Sequence, residues 1–177
     1  MPILPENLTL HENEQVAGLR ERFAQMRACL NQQNTNDCSI ATLFQHLEHL
    51  MSIAGNLSNP RSFGACLLAK HYLMDRFDIE NFDVAEKPQG ASGPDIDVKT
   101  IDGRRILAEI KTTVPYEIEQ GDIGAAQRTS FRKDWKKLLE AQANHKFFFL
   151  TNADAYAIVQ RKYLSELQDI EVVLLTW

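Results

Sequence analysis

The chain has 177 residues, is 44% hydrophobic and 24% charged, and carries a formal net charge of −5. These are the proportions of a globular protein of one domain, or of one domain with a small appendage. They exclude a globally basic, histone-like binder but not an enzyme with one local basic face.

No apolar run approaches the about 20 residues that a membrane span needs; the longest are short, at 147–150 and 172–175. The opening MPILPENLTLHENE lacks the basic and then apolar layout of a signal peptide. Cys29, Cys38 and Cys66 are odd in number and match no zinc spacing. The expected setting is cytoplasmic, with no membrane partner.

Val16, Leu19, Phe23, Met26 and Leu30 recur at steps of three and four and predict a helix over about 12–32. Ile40, Leu43, Leu47, Leu50 and Ala54 repeat the pattern, with Ser39 as N-cap and the polar stretch 31–37 as the turn between. Two narrow seams joined by a short loop predict an antiparallel helical hairpin, packed on its own domain or on a second subunit. Residues 1–55 are therefore read as an appendage that supports a homodimer or touches DNA, and 56–177 as the core. The breaker cluster 56–60 precedes a third, well-buried helix over about 62–77. Phe82 and Val84 predict a short strand, followed by DIDVK, a turn, RRILAEIK, a helix over about 122–143, the strand HKFFFLT, helix over 153–167 in one or two pieces, and the strand IEVVLLT. The two late strands are apolar on both faces, as central strands covered by helices are.

The segment 94–111, PDIDVKTIDGRRILAEIK, carries the chemistry. With Asp102-Gly103 as a two-residue turn, Ile96 would face Glu109 and the two faces would mix. A three-residue loop, 101–103, with Gly103 in the left-handed position, sets Val98 against Ile106 and Ile96 against Ala108. The other face then carries Asp95 opposite Glu109, with Asp97 and Lys111 two residues away along their strands. Two carboxylates about 5 Å apart at Cβ repel unless positive charge lies between them. Oxygen-only ligands select a hard cation, Mg²⁺ or Mn²⁺. A neighbouring lysine can orient or deprotonate a water and stabilise charge on a phosphate oxygen. A bare E-x-K triplet is common on solvated sheet faces; here it interrupts an otherwise apolar strand, opposite acids placed by a turn that the apolar pattern itself requires.

Pro94-Asp95 and, after thirteen intervening residues, Glu109-Ile110-Lys111 resemble the motif of the PD-(D/E)XK nuclease superfamily. The resemblance covers about 56–177 and includes the core order α-β-β-β-α-β. It implies an α/β restriction-endonuclease-like fold, a central mixed sheet flanked by helices. It implies that Asp95, Glu109 and the Ile110 carbonyl hold Mg²⁺, that Lys111 positions the attacking water, and that a DNA phosphodiester is cleaved to leave a 5′-phosphate. Where many members carry a Gly-Glu on the preceding helix, this chain has Gly64-Ala65. Asp97 is the better candidate for an auxiliary acid, with a plain strand residue as the alternative.

On the 122–143 helix, Phe131, Trp135, Leu138 and Leu139 predict the buried face, with Gln127 one turn earlier toward the hairpin, either touching the scissile phosphate or on the helix surface. Arg128, Arg132, Lys133, Lys136 and Lys137 put five basic residues within ten. They read as a phosphate-contacting strip or as a solvated helix face. The loop 90–94 is not a Walker loop. His46 and His49 lack a third ligand, and no acyl-transfer constellation is present.

The expectation is a Mg²⁺-dependent endonuclease acting on double-stranded DNA, of type II restriction kind and homodimeric. Junction resolution, repair and mobile-element nucleases share the fold. A DNA-binding or assembly subunit without turnover is the alternative from another class.

Overall fold

The computed structural model describes residues 7–31, 39–87, 91–116 and 121–176. Three helices, α1 (Leu10–Asn31), α2 (Ile40–Ala54) and α3 (Ser58–Arg76), precede the hairpin β1 (Ile96–Lys99) and β2 (Arg105–Lys111). Then follow α4 (Ala125–Glu140), β3 (His145–Leu150), α5 (Ala153–Lys162), α6 (Leu164–Leu167) and β4 (Ile170–Leu174). The strands form one mixed sheet in the order β1-β2-β3-β4, antiparallel between β1 and β2 and parallel thereafter.

The sheet is covered on both faces, so the fold is α/β in three layers. On β3, Phe147 and Phe149 join Leu73, Ile96, Ile106 and Ala108 on the α3 side. Phe148 and Leu150 point the other way, to Phe131, Trp135, Ile158 and Val159 on α4 and α5. This period-two alternation with both sides apolar is what a central parallel strand requires.

Two expectations change. No strand forms at Phe82 and Val84; among the described residues, this segment meets the sheet edge only at the isolated bridge Ile79–Thr100. Its amides are taken by side chains instead: Val84 N donates to Glu12 Oε1 at 2.9 Å and Ala85 N to Asp83 Oδ1 at 2.7 Å. From α3 onward the order is therefore α-β-β-α-β-α-α-β. The third helix also starts earlier than expected, at Ser58, because Pro60 falls in its first turn, where a missing N–H costs nothing. The 31–37 turn lies almost wholly outside the described residues.

The hairpin turn follows the expected register, with Ile96 opposite Ala108 and Val98 opposite Ile106. Gly103 sits at φ +86°, Gly103 N donates to Thr100 O, and Thr100 N donates to Arg104 O, both at 2.9 Å. A side chain there would be strained.

Glu12, fully buried, ties α1 to this body. Its carboxylate accepts from Lys70 Nζ of α3 at 2.7 Å and from Thr9 N and Val84 N. Lys70 is itself 2% exposed. Removing one partner of a buried ion pair leaves an uncompensated charge. Lys70→Met is therefore expected to cost roughly 3–5 kcal/mol in a urea melt. Lys70→Met with Glu12→Gln should recover most of that loss, because the amide oxygen still accepts from Val84. Equal losses in both variants would contradict the pairing.

Candidate active site

Residues of alternating face on β2 decide what meets at its C-terminal end. Ile106, Ala108 and Ile110 belong to the α3 side, leaving Leu107, Glu109 and Lys111 for the α4 side. The hairpin brings Asp95 alongside, and its Oδ2 accepts from Ile110 N at 2.7 Å. Asp95 is exposed, and its other oxygen has no hydrogen bond among the described residues.

Glu109 is only 3% exposed. Burial first, and then the nearby charges of Asp95 and Asp134, push its carboxyl up to about 7, against the lowering effect of Lys137. Lys137 Nζ donates to Glu109 Oε1 at 2.7 Å and pairs with Asp134 Oδ1 at 3.0 Å. Lys111 Nζ pairs with Asp134 Oδ2 and donates to Ser130 Oγ at 3.2 Å. Glu109, Lys137, Asp134 and Lys111 thus form one chain of alternating charge across β2 and α4, with Asp95 as a second acid beside Glu109.

Sequence reasoning misses Asp134, Lys137 and Ser130 as site residues. Their spacing, 130, 134 and 137, is a helical stripe one residue behind the buried 131-135-138 stripe, and that stripe is the available signal. Lys137, expected on the outer face, turns inward because the buried Glu109 needs a cation.

Other candidates go elsewhere. Asp97 is held by Arg105, whose Nε and Nη2 reach its two oxygens at 2.9 and 2.7 Å, so its carboxyl lies below the usual range. Gln127 Nε2 donates to Val114 O at 2.9 Å, and Oε1 accepts from Gly124 N at 3.2 Å, so both its polar ends brace the start of α4. Arg132 forms a two-pronged pair with Glu166 at 2.9 and 2.7 Å. Arg128 lies 3.3 Å from Asp122 and 3.4 Å from the Tyr163 hydroxyl. Lys133 and Lys136 remain exposed, Lys136 with Glu140 at 3.7 Å. Of the five strip residues, these two are exposed and, among the described residues, pair with no other element.

A cleft of about 1170 Å³ opens beside Asp95, Ile110 and Thr112. Arg22 of α1 and Lys87 also line it, and Cys66 of α3 stands against Asp95. Burial, then Asp95, pushes the Cys66 thiol up to about 12, which keeps it protonated and inert.

Among the described residues, no group of three or more His, Cys, Asp and Glu side chains could hold a metal. Two carboxylates suit Mg²⁺ all the same, because that ion keeps several waters and takes only one or two carboxylates beside substrate phosphates. The donor set is all oxygen, and two acids, Asp95 and Glu109, lie close enough for each to raise the other's cost of ionising. The pair therefore fits a hard divalent cation.

No family model matches the chain, and neither does any curated protein or solved structure.

The raised carboxyl fixes a sign. An acid whose folded-state value exceeds its unfolded value, here about 7 against 4.5, gives stability that is full below pH 4.5 and is lost as pH rises through 7. Glu109→Gln should therefore flatten this part of the stability profile and be more stable than the wild type at pH 8 in chelator. Urea midpoints from pH 4 to 8 read this directly. An unchanged downward slope in the variant would contradict it.

At Asp122 the sign is opposite. Hydrogen bonds from Tyr163 Oη at 2.6 Å and Lys162 Nζ at 3.0 Å hold its carboxyl down to about 2. Its contribution is full above about pH 4 and lost as pH falls toward 2. The acid limb of the wild-type profile should be steeper than that of Asp122→Asn; parallel limbs would contradict it.

Proposed function

We propose that the chain is a Mg²⁺-dependent endonuclease that hydrolyses phosphodiesters of double-stranded DNA, of the PD-(D/E)XK kind and with a restriction-type role. The observation that carries the reading is the meeting of Asp95 and Glu109 at the end of β2, with Lys111 two residues on and a cleft opening at Asp95. Asp95, Glu109 and the Ile110 carbonyl would hold the cation, which when bound would supply charge to neutralise a phosphate oxygen.

The chain's own groups supply the rest. Lys111 lies on the same strand face as Glu109, and Asp134 and Ser130 fix the position of its ammonium. From there it orients a water toward phosphorus and offers charge to a non-bridging oxygen. The water oxygen bonds to phosphorus, the bond to the 3′-oxygen breaks, and that oxygen takes up a proton as the water gives one up. The products are a 5′-phosphate and a 3′-hydroxyl. Lys137 holds the Glu109 carboxylate in one orientation. Exposed Lys133 and Lys136, the latter beside Glu140, are the strip residues that would contact phosphates.

A second reading rests on the same ion pairs. Lys111 and Glu109 are each bound by α4 groups, as in a sheet-helix clamp that needs no turnover. A non-catalytic DNA-binding or assembly subunit would have this geometry. The two readings separate in a plasmid-nicking assay. Wild-type protein should nick supercoiled DNA in Mg²⁺ and not in chelator. Asp95→Ala and Glu109→Ala should each lower the rate by at least about 100-fold while DNA binding persists. No nicking across a broad set of duplex substrates, or full activity in both variants, would overturn the nuclease reading.

A further inference from the structure

Among the described residues, the α1–α2 hairpin leaves the most apolar face of α2 uncovered. α2 packs on α1 through the half-buried Thr42, His46, Leu50 and Ile53. The stripe Ile40, Phe44, Leu47 and Met51 turns away, at 87%, 62%, 58% and 67% exposure. Of the apolar seam expected to pack on α1, only Leu50 and Ala54 come under partial cover, while Ile40, Leu43 and Leu47 stay open.

We propose that this face of α2 binds the same face of a second copy, so that two hairpins close into an antiparallel four-helix bundle. Three features point to a second copy.

The first is area. With Leu43, the stripe exposes on the order of 600 Å², more than stray surface apolar residues present and most of the about 800 Å² that each partner gives to a standard interface. Phe23 and Leu30 of α1 are exposed as well, at 60% and 58%.

The second is symmetry. The intervals 40-44-47-51 are four, three and four, the same read from either end. A two-fold axis between residues 45 and 46 therefore sets Ile40 against Met51 and Phe44 against Leu47 of the partner copy. A self-complementary patch is what an isologous interface requires.

The third is charge. Over its 15 residues α2 has one carboxylate, Glu48, and no lysine or arginine. Two copies meet with little repulsion. A nucleic acid finds no cation, and an anionic lipid surface finds none of the basic residues that interfacial helices carry. The knobs-into-holes spacing of threes and fours is that of bundle seams.

None of these side chains lines the cleft at Asp95, so the interface is independent of the nuclease reading. Sedimentation velocity on the full chain at tens of micromolar tests it. Wild type should run at twice the 20.2 kDa protomer mass. Phe44→Glu and Leu47→Lys should each raise the dimer dissociation constant at least about 100-fold, with helical circular dichroism unchanged because neither side chain is packed in the protomer. The variant carrying both substitutions should regain the dimer, since the new carboxylate at position 44 of one copy then meets the new ammonium at position 47 of the other.

A wild-type monomer overturns the proposal. So do single variants that remain dimeric, single variants that unfold, or a double variant that stays monomeric. Co-sedimentation of the wild type with phosphatidylcholine vesicles in place of self-association would assign the face to lipid and overturn it as well.

Discussion

A carboxylate buried on the inner face of a strand must have positive charge beside it, and Glu109 imposes that demand on the end of the sheet. Leaving such a group unpaired would cost several kcal/mol, a large part of the stability of a domain of this size. α4 answers with Lys137, which brings Asp134, which in turn binds Lys111. Compensation comes from one side only. On the other side stands Asp95, a second acid that lines the cleft. Glu109 and Asp134 are buried, their lysines are partly exposed, and of these acids Asp95 is the one at the cleft.

The arrangement depends on a turn of three residues. A slip of one residue at Gly103 would move Glu109 to the α3 face and Ile110 to the α4 face. The core would then have to accept a carboxylate among Leu73, Phe147 and Phe149. Packing on both faces of β2 therefore fixes the register, and the register sets Asp95 beside Glu109. Chemistry at the sheet edge and the stability of the sheet centre rest on the same constraint.

The hairpin and its acids are legible in the chain because strand periodicity and one glycine leave a single consistent register. The central strand β3 is legible because four apolar residues in a row suit only a position covered on both faces. Residues 82–84 look like a strand by composition, yet the amides of Val84 and Ala85 go to Glu12 and Asp83, contacts that no strand pattern announces. Lys137 reads as a surface cation because its partner lies 28 residues away, on another element. Gln127 reads as a site residue by its position near the hairpin, but the start of α4 uses both of its polar ends. Basic residues clustered in sequence prove least informative: Arg128 and Arg132 meet acids on either side of them in the chain. The α2 stripe is visible as a stripe, but the side that α2 turns toward α1 is its more polar one.

Whether Lys111 acts on a substrate or only on Asp134 decides between an active site and a clamp. The single-turnover cleavage rate of Lys111→Ala, set beside its urea midpoint, tests this most directly. As a group acting in the transition state, it should lower the rate by at least about 100-fold when removed, and Lys111→Arg should not restore it, because a planar fork cannot replace a compact ammonium. Stability should fall by roughly 1–3 kcal/mol, because Asp134 keeps Lys137 while its buried Oδ2 loses its partner. A near-wild-type cleavage rate together with a clear loss of stability would make Lys111 a structural clamp and contradict the catalytic reading of this site.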